Sequence, residues 1–324
     1  MKVISGAGKI KRKFRNAVLA IGVFDGLHRG HQMLIRKAIA RAKAIHGDVL
    51  VMTFMPHPLM VLHPEIHLSY IISLPHRLKL IEALGVSECI VVRFTKRFAR
   101  LTPQKFVQRY LARFQPLEIF VGGDFRFGQD RSGDLDYFQE AGAEYGFRVN
   151  VVRAVKGRGK KIGSSMIRRL IPDGKLAQAA RLLGRPVSVM GQVVKGAGRG
   201  KRLGFPTANI SVEDLVIPPS GVYAVKIFVN GKVFPGMANI GRRPSFETRD
   251  RITIEAHLFN FSGNLYRRQI IVEFVKKIRE EKLFFSESEL IVQLRKDQIK
   301  VRNILRPFHK AGTISAGIKS ESLV

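Results

Sequence analysis

The sequence predicts an α/β protein in which a parallel-sheet domain is followed by an antiparallel β-barrel domain with a closing helix. In the first half, short apolar runs alternate with segments of helical period, which is typical of βαβ units. In the second half, strand-like runs follow one another with little helix between them. The 324 residues, 45% of them hydrophobic, are enough for two such cores.

Five strands are predicted in the first domain, at residues 17–21, 48–54, 88–94, 117–121 and 147–152. A helix with apolar positions of regular spacing follows the first strand and includes Leu34, Ile35, Ala38 and Ala42. Three more helices are predicted at 77–84, 102–114 and 135–145, with Pro103 at a first helical position. This alternation predicts a Rossmann-like sheet with ligands at the carboxyl ends of its strands.

The junction between the first strand and its helix contains two histidines three residues apart, His28 and His31. A helix N-terminus presents unpaired N–H groups and the positive end of the dipole, and Gly22, Gly26 and Gly30 allow close approach to the main chain. Residues three apart share one side of a helix, so both rings can donate hydrogen bonds to one polyphosphate. The alternatives are a zinc pair, which would need further Cys or His ligands, or two solvated histidines.

Polar and glycine-rich turns also follow the second and fourth predicted strands, as Pro56-His57-Pro58 and residues 122–128. Because the carboxyl ends of parallel strands meet at one edge of a sheet, we expect these turns to lie beside the histidines. The alternative for Pro56-His57-Pro58 is a rigid turn without a ligand.

A helix at 175–183 leads to Gly184-Arg185-Pro186, which marks a domain boundary. We therefore predict one domain over residues 1–184, a second over 185–308 and a mobile tail over 309–324. Strands are predicted at 187–194, 221–229, 252–259 and 269–275, and Asn230-Gly231 is a strong hairpin signal. Residues 286–289 form a capping box for a last helix. Its apolar stripe, expected to lie against the barrel, consists of Leu290, Leu294, Val301 and Leu305.

A glycine-rich basic loop lies early in the second domain. Lys195 and Arg202 stand where a Walker A loop needs glycine and Ser or Thr, so that motif is rejected. The loop could still be a flexible flap that places its backbone N–H groups over phosphates. Thr207 and Asn209 follow the loop in the sequence, and their side-chain oxygens are suitable ligands for Mg²⁺. The alternative is a solvated basic loop. The predicted phosphate-binding residues of this loop are Gly196, Gly198, Gly200, Lys201 and Gly204.

Glu255 lies in a predicted strand with His257 two residues later, so both project from one face. If that face lines a ligand cavity, Glu255 can accept the proton of a hydroxyl that attacks phosphorus. If the face points outward, Glu255 only offsets neighbouring basic residues.

The net charge of +31, from 56 Lys and Arg against 25 Asp and Glu, indicates anionic ligands. Nucleic acid is one candidate, but the basic residues are spread along the chain without a recognisable binding motif, so we expect none. The basic residues of segment 1–15 precede a short apolar run that stops at Asp25, which makes a poor signal peptide, and no run has membrane-spanning length. With a single cysteine, the expected location is the cytoplasm. The sequence carries no signal for an oligomeric state.

Taken together, residues 17–305 closely resemble the family of bifunctional riboflavin kinase/FMN adenylyltransferases, the prokaryotic FAD synthetases. The first half resembles the adenylyltransferase module of the nucleotidyltransferases in three motifs, and the second half resembles a riboflavin kinase in four. The motifs are Gly-Val-Phe-Asp-Gly-Leu-His-Arg-Gly-His-Gln at 22–32, Thr-Phe-Met-Pro-His-Pro at 53–58, Gly-Gly-Asp-Phe-Arg-Phe-Gly at 122–128, Leu-Gly-Phe-Pro-Thr-Ala-Asn at 203–209, Gly-Val-Tyr-Ala-Val at 221–225, Asn-Ile-Gly-Arg-Arg-Pro at 239–244 and Glu-Ala-His-Leu at 255–258.

The resemblance implies that ATP and Mg²⁺ convert riboflavin to FMN in the second domain and that ATP converts FMN to FAD in the first. It implies His28 and His31 as catalytic in the first domain and Glu255 as the base in the second, with Thr207 and Asn209 as metal ligands. Flavin contacts are assigned to His57, Glu255 and Arg279. ATP contacts in the first domain are assigned to Phe24, Asp25, Gly26, His28, His31, Asp124, Ser164, Ser165 and Arg168.

The chain departs from the family pattern at several positions. Gly163 and Ser165 replace a serine and a threonine before the arginine at 168, which implies slower adenylyl transfer. Arg267 replaces a glycine in a loop assigned near the flavin, Asn264 replaces an aspartate, and Ser245 replaces a common threonine. Three other interpretations stay open. The chain could have only an efficient kinase activity, or it could be a nucleic-acid-binding protein on an enzyme scaffold. It could also be a nucleotidyltransferase for another acceptor, but such an enzyme would have no use for the kinase half.

Overall fold

The computed structural model describes residues 1–6, 13–157, 159–196, 198–243 and 251–309. The chain forms two compact units. The first comprises Met1–Leu68 and Arg77–Ser164, and the second comprises Ser69–His76 and the chain from Ser165 onward. Ser245 and the predicted tail beyond residue 309 lie outside the described residues.

The first unit contains the predicted parallel sheet, with six strands in the order β1-β4-β3-β2-β5-β6. Strand β2 lies inside the sheet. Strands β3 and β4 are added on one side of β2, and β5 and β6 on the other, so the topology switches between β2 and β5. The edge strand β1 was not predicted, because only Ile4 of its four residues is buried. The strands are β1 Lys2–Ser5, β2 Val18–Ile21, β3 Val49–Met55, β4 Glu88–Arg93, β5 Glu118–Gly122 and β6 Arg148–Val152.

Helices cover the sheet largely where the sequence predicts them. The predicted helix at 102–114 begins with the Thr102 hydroxyl accepting the Lys105 N–H at 3.3 Å, and continues beyond α5 as a π turn, Val107–Leu111, and a 3₁₀ turn, Ala112–Phe114. Lys156–Gly157 and Lys160–Lys161 form a short hairpin, β7 and β8. The helices are α1 Arg29–Ala44, α2 Pro58–Leu62, α3 Leu74–Ala83, α4 Lys96–Ala99, α5 Pro103–Phe106 and α6 Leu135–Tyr145.

The second unit contains a closed barrel in the order β10-β13-β12-β11-β14-β9, which confirms the predicted fold class. Asn230 and Gly231 have φ values of 49° and 80°, as the predicted Asn-Gly hairpin requires. The three-residue strand β10 was not predicted. Helix α7, Ser164–Leu170, begins at the last residue of the first unit. The elements that follow are α8 Leu176–Leu183, β9 Ser188–Val194, α9 Arg199–Arg202, β10 Ala208–Ile210, β11 Gly221–Val229, β12 Lys232–Arg243, β13 Arg251–Leu258, β14 Gln269–Arg279 and α10 Glu287–His309.

Apolar side chains fill the barrel interior, and α10 packs on its outer face. Val301 and Leu305 of α10 join a buried cluster with Val222 and Met237, and Leu294 is partly buried against it. Ile291 takes the place expected for Leu290 in this cluster. Within the parts of the chain that the structure describes, no helix is long and apolar enough to cross a membrane. The interior side chains that are fully buried include Tyr223, Val225, Ile227, Ile254 and Ala256.

Candidate active sites

The histidine pair lies at a helix N-terminus, as predicted. His28 is the N-cap of α1, and its Nδ1 accepts the backbone N–H of His31 at 3.3 Å. An accepting Nδ1 carries no proton, so the proton of the neutral ring is on Nε2. His28 can therefore donate from Nε2 to a bound group.

Two glycines of this loop, Gly22 and Gly30, also make room for side chains of the chain itself. A Cβ on Gly22 would lie 2.8 Å from the Phe24 ring, and a Cβ on Gly30 would lie 3.2 Å from the His28 ring. Phe24 and Leu27 have φ values of 54° and 40°, in a region that residues with side chains rarely adopt. Such strain is concentrated at functional sites.

The two imidazoles stack on each other, with centroids 3.6 Å apart and planes inclined by 17°. Phe24 meets His31 edge-on at 5.3 Å. The Phe24 side chain has no exposed surface, and its contact helps to hold the His31 ring in place. The Nδ1 atom of His31 is buried and has no hydrogen-bond partner among the described residues.

Burial keeps both rings neutral at neutral pH. Burial lowers the pKa of His28 to about 4, although its own backbone and the charges of Asp25 and Asp124 act in the opposite direction. Burial also lowers the pKa of His31 well below its usual value, and the neighbouring His28 and Arg77 lower it further. Two imidazolium ions would repel each other at this ring separation, whereas two neutral rings can stack.

Asp124, which follows β5, is brought to the histidines as predicted and is paired with a lysine that the sequence analysis missed. Lys161 Nζ lies 2.7 Å from Asp124 Oδ2, and both charges act on His28. Burial opposes ionisation of Asp124, but the hydrogen bond and charge of Lys161 prevail and lower its pKa. Lys161 lies just before this segment of the family pattern, which begins at Ile162, and closeness in sequence to Ser164 was the one available signal.

Ser164 also lies at this site, because its hydroxyl donates to the backbone carbonyl of Asp25 at 2.9 Å. Ser165 and Arg168 follow on α7, where Arg168 Nε donates to the Ser69 carbonyl at 3.0 Å. His57 caps α2 by accepting the Leu59 N–H at 3.2 Å and is buried. The loops after β2, β3 and β5 emerge from adjacent strands, so the expected convergence at one sheet edge is confirmed.

In the second unit, the glycine-rich loop is not an open flap. It folds into the short helix α9, where the N–H groups of Lys201 and Gly204 bond to carbonyls of the loop itself. A Cβ on Gly200 would lie 3.2 Å from Thr207 Oγ1, and one on Gly196 would lie 2.1 Å from Asn209 Nδ2. The glycines therefore allow the loop to pack directly against Thr207 and Asn209.

One cross-strand row joins residues from the strands of the barrel. Asn209 of β10 pairs with Glu255 of β13, Glu255 with Asn239 of β12, Asn239 with Val222 of β11, and Val222 with Arg279 of β14. Paired residues project from the same face. Because Val222 packs in the α10 cluster, this face is the outer one, and Glu255 lies outside the filled interior.

On the outer face, Glu255 lies beside Asn209, which the sequence analysis assigned to the metal, and beside Asn239, which it did not assign. Glu255 is half-buried beside two asparagines, of which Asn239 was not assigned a role. Asn239 Nδ2 donates to Glu281 Oε1 at 3.4 Å. Arg279, assigned to the flavin, is held by Asp297 of α10 at 2.8 Å. His257 is tied to the Pro206 carbonyl through Nδ1 at 2.8 Å.

The departures from the family pattern have different structural settings. A Cβ added to Gly163 would meet nothing within 4 Å. Arg267 has φ 64°, a conformation that suits the glycine it replaces, and its N–H bonds to the Val193 carbonyl at 2.9 Å.

A nucleotidyltransferase-like parallel sheet with this histidine site, joined to a flavokinase-like barrel, defines a two-domain transferase of phosphorus-containing groups. Comparison with known proteins gives the same result: residues 10–166 match the FAD synthetase family, and residues 183–305 match the riboflavin kinase family. The chain therefore belongs to the bifunctional riboflavin kinase/FMN adenylyltransferases, and it is similar to individual members along nearly its whole length.

The relative from Escherichia coli (strain K12), described as a bifunctional riboflavin kinase/FMN adenylyltransferase, is 38% identical over 93% of this chain and 97% of its own length. The relative of the same description from Pseudomonas fluorescens is 34% identical over 95% of this chain and 99% of its own. A crystal structure titled as a macrolide-efflux protein from Streptococcus pneumoniae superposes with a TM-score of 0.80 and 30% identity, covering 94% of this chain and 99% of that one.

Proposed function

We propose that this chain makes FAD from riboflavin in two steps, each in its own domain. The barrel domain phosphorylates the ribityl 5′-hydroxyl of riboflavin with ATP, giving FMN and ADP. The parallel-sheet domain transfers the adenylyl group of a second ATP to FMN, giving FAD and pyrophosphate. The observation that carries the proposal is the presence of both family matches in one chain. Their ranges include the catalytic candidates His28, His31 and Glu255.

In adenylyl transfer, an oxygen of the FMN phosphate attacks the α-phosphorus of ATP as the bond to pyrophosphate breaks. The proposed role of the histidines is to donate hydrogen bonds where negative charge grows on the leaving phosphates. His28 has its Nε2 proton available because Nδ1 is occupied by the His31 N–H. Donors that are already in place stabilise this charge without a reorganisation cost.

In riboflavin phosphorylation, the 5′-oxygen attacks the γ-phosphorus as the bond to ADP breaks. The proposed base is Glu255, which takes the proton of the attacking hydroxyl. Asn209 and Asn239 flank it on the neighbouring strands. Arg279, on the same row, is proposed to contact the flavin, with its guanidinium oriented by Asp297.

The residues assigned to Mg²⁺ are suited to it. Thr207 and Asn209 offer hard oxygen atoms next to the glycine turns that pack on them. Among the described residues, no group of three or more His, Cys, Asp or Glu is placed to hold a metal, so the remaining ligands would be phosphate oxygens and water. When bound, Mg²⁺ would neutralise phosphate charge.

The proposal places both reactions in the cytoplasm, with ATP, riboflavin and FMN as the partners of the chain. The single cysteine, Cys89, is free and buried, which is compatible with a reducing compartment.

Purified protein incubated with riboflavin, ATP and Mg²⁺ tests the proposal directly. FMN should appear first and FAD later, with ADP and pyrophosphate as the respective by-products. FMN supplied in place of riboflavin should give FAD without a lag. Accumulation of FMN alone would favour a chain with only the kinase activity, and no turnover of either flavin would refute the proposal.

A further inference from the structure

A buried arginine lies beside the histidine pair without belonging to any sequence motif described above. Arg77, in α3, has no exposed surface. Arginine is almost never fully buried unless it is paired, because removing a guanidinium from water is costly. The position of Arg77 therefore needs an explanation.

Arg77 is connected by hydrogen bonds to the loop that carries the histidines. Its Nη1 donates to Thr53 Oγ1 and to the Phe54 carbonyl, both at 3.2 Å. The Thr53 hydroxyl in turn donates to the Val23 carbonyl at 2.8 Å, directly before Phe24. This relay joins α3 to the end of β3 and to the strained loop after β2.

Arg77 is also close enough to His31 for its charge to act on that ring. The groups acting on the charge of His31 are His28 from its own segment and Arg77 from α3, while Phe24 contributes an uncharged ring edge. The same guanidinium also acts on Cys89 in β4.

We propose that Arg77 is a positioning residue for adenylyl transfer, which holds the Val23–Phe24 backbone through Thr53 and presents a fixed positive charge beside His31. The inference rests on the proposed function for its catalytic consequence. A neutral imidazole donates most usefully as charge develops in the transition state, whereas an imidazolium would also bind the ground-state phosphate tightly. The fixed charge of Arg77 disfavours the imidazolium.

The test uses the full chain with labelled histidines, and His31→Asn identifies the His31 resonance. In Arg77→Met, the apparent pKa of His31 should rise by about one unit, and the acid limb of the rate of FMN adenylylation should move to higher pH by the same amount. Riboflavin phosphorylation should be unchanged, because its proposed residues lie in the second unit. The labelled histidine resonances of the first unit, dispersed as in the wild type, show that this unit is folded in the variant. Arg77→Lys keeps the charge and should restore the pH profile.

The hydrogen-bond relay is tested separately at Thr53. Thr53→Val, which removes the hydroxyl at constant volume, should lower kcat for adenylylation about tenfold without moving the pH profile, and Thr53→Ser should be close to wild type. Arg185→Met removes another buried arginine, in the second unit, and serves as the matched control that leaves the pH profile of adenylylation in place.

The electrostatic role would be overturned if the titration of His31 were unchanged in Arg77→Met. It would also be overturned if Arg77→Lys had the same pH profile of adenylylation as Arg77→Met. Full activity of Thr53→Val would overturn the relay. If Arg77→Met does not fold, Arg77→Gln, which keeps a polar donor without the charge, replaces it as the variant that tests the electrostatic role. The two Thr53 variants still test the relay. A wild-type chain that fails to adenylylate FMN would refute the proposed function, while the His31 titration would still test the action of Arg77 on the ring.

Discussion

At the residue scale, the histidine site shows how burial adapts an ordinary side chain to phosphate chemistry. The His28 ring stacks on His31 at 3.6 Å and accepts a backbone N–H through one nitrogen. The surrounding protein keeps both rings uncharged, so the remaining donor is available to a ligand. Each of these features can be tested by a single substitution.

His31→Ala should reduce FMN adenylylation by about 10²-fold or more, the scale of losing one donor that stabilises a developing negative charge. Riboflavin phosphorylation should remain, because the proposed kinase residues lie in the barrel. Rates of FAD formation from FMN and of FMN formation from riboflavin provide the two measurements. Equal damage to both rates would contradict the assignment of two separate sites.

Glu255→Gln should have the reciprocal effect. The amide keeps the size of the side chain but cannot accept the hydroxyl proton, so FMN formation should fall by about 10²-fold or more. FAD formation from supplied FMN is the internal control and should be unaffected. If riboflavin is phosphorylated at the wild-type rate, Glu255 is not the base.

The low pKa of His28 makes the stability of the first unit depend on pH. The ring titrates near 6.5 when unfolded and near 4 when folded, so the unfolded chain binds more protons between these values. This stabilisation is fully present above about pH 6.5 and is lost as the pH falls towards 4, with a loss on the order of 2 kcal/mol between pH 7 and pH 5.

Denaturant unfolding at pH 7 and pH 5, followed by hydrogen exchange of the β2 amides, measures this loss. His28→Gln removes the titrating group, so its stability should change less between the two pH values. A variant with the same pH dependence as wild type would show that other groups dominate.

At the scale of elements, the barrel uses strand pairing to assemble its candidate site. Four polar residues from four strands share one row on the outer face: Asn209, Glu255, Asn239 and Arg279. A one-residue slip of any of these strands would turn its member of the row to the opposite face. The hairpin at Asn230-Gly231 and the packing of α10 stabilise this strand register, and therefore the arrangement of the site residues as well as the fold.

The N-terminus of α7 offers a test of the departure at Gly163. A Cβ added at Gly163 meets nothing within 4 Å, and a serine hydroxyl there can cap the helix whose Ser164 is bonded to Asp25. Gly163→Ser should therefore raise the rate of FMN adenylylation about twofold, since caps differ from glycine by a few tenths of a kcal/mol. The kinase rate should not change. A slower variant would show that glycine is needed for another reason.

At the scale of the whole molecule, the net charge of +31 should favour anionic substrates over neutral ones. Raising the salt concentration from about 50 to about 300 mM should raise KM for ATP and FMN severalfold, because screening weakens their attraction. Riboflavin is uncharged and serves as the control, so its KM should remain constant. Equal salt sensitivity for riboflavin would mean that salt acts on the fold or the chemistry instead.

The sequence by itself determined the features that depend on neighbours along the chain. It predicted the alternating strands and helices, the helix start at His28, the Asn-Gly hairpin and the cap at Ser286, because turn chemistry and periodicity act over a few residues. It also predicted that the turns after β2, β3 and β5 share one sheet edge, since parallel sheets bring such turns together.

Only the tertiary structure decided which distant residues meet and which become buried. The register of β12 and β13 places Asn239 beside Glu255. Lys161, on the β7–β8 hairpin, donates to Asp124. Arg77 is fully buried. The short strands β1 and β10 likewise depend on their partner strands. Register and burial are properties of non-local packing, so no local pattern in the sequence could specify them.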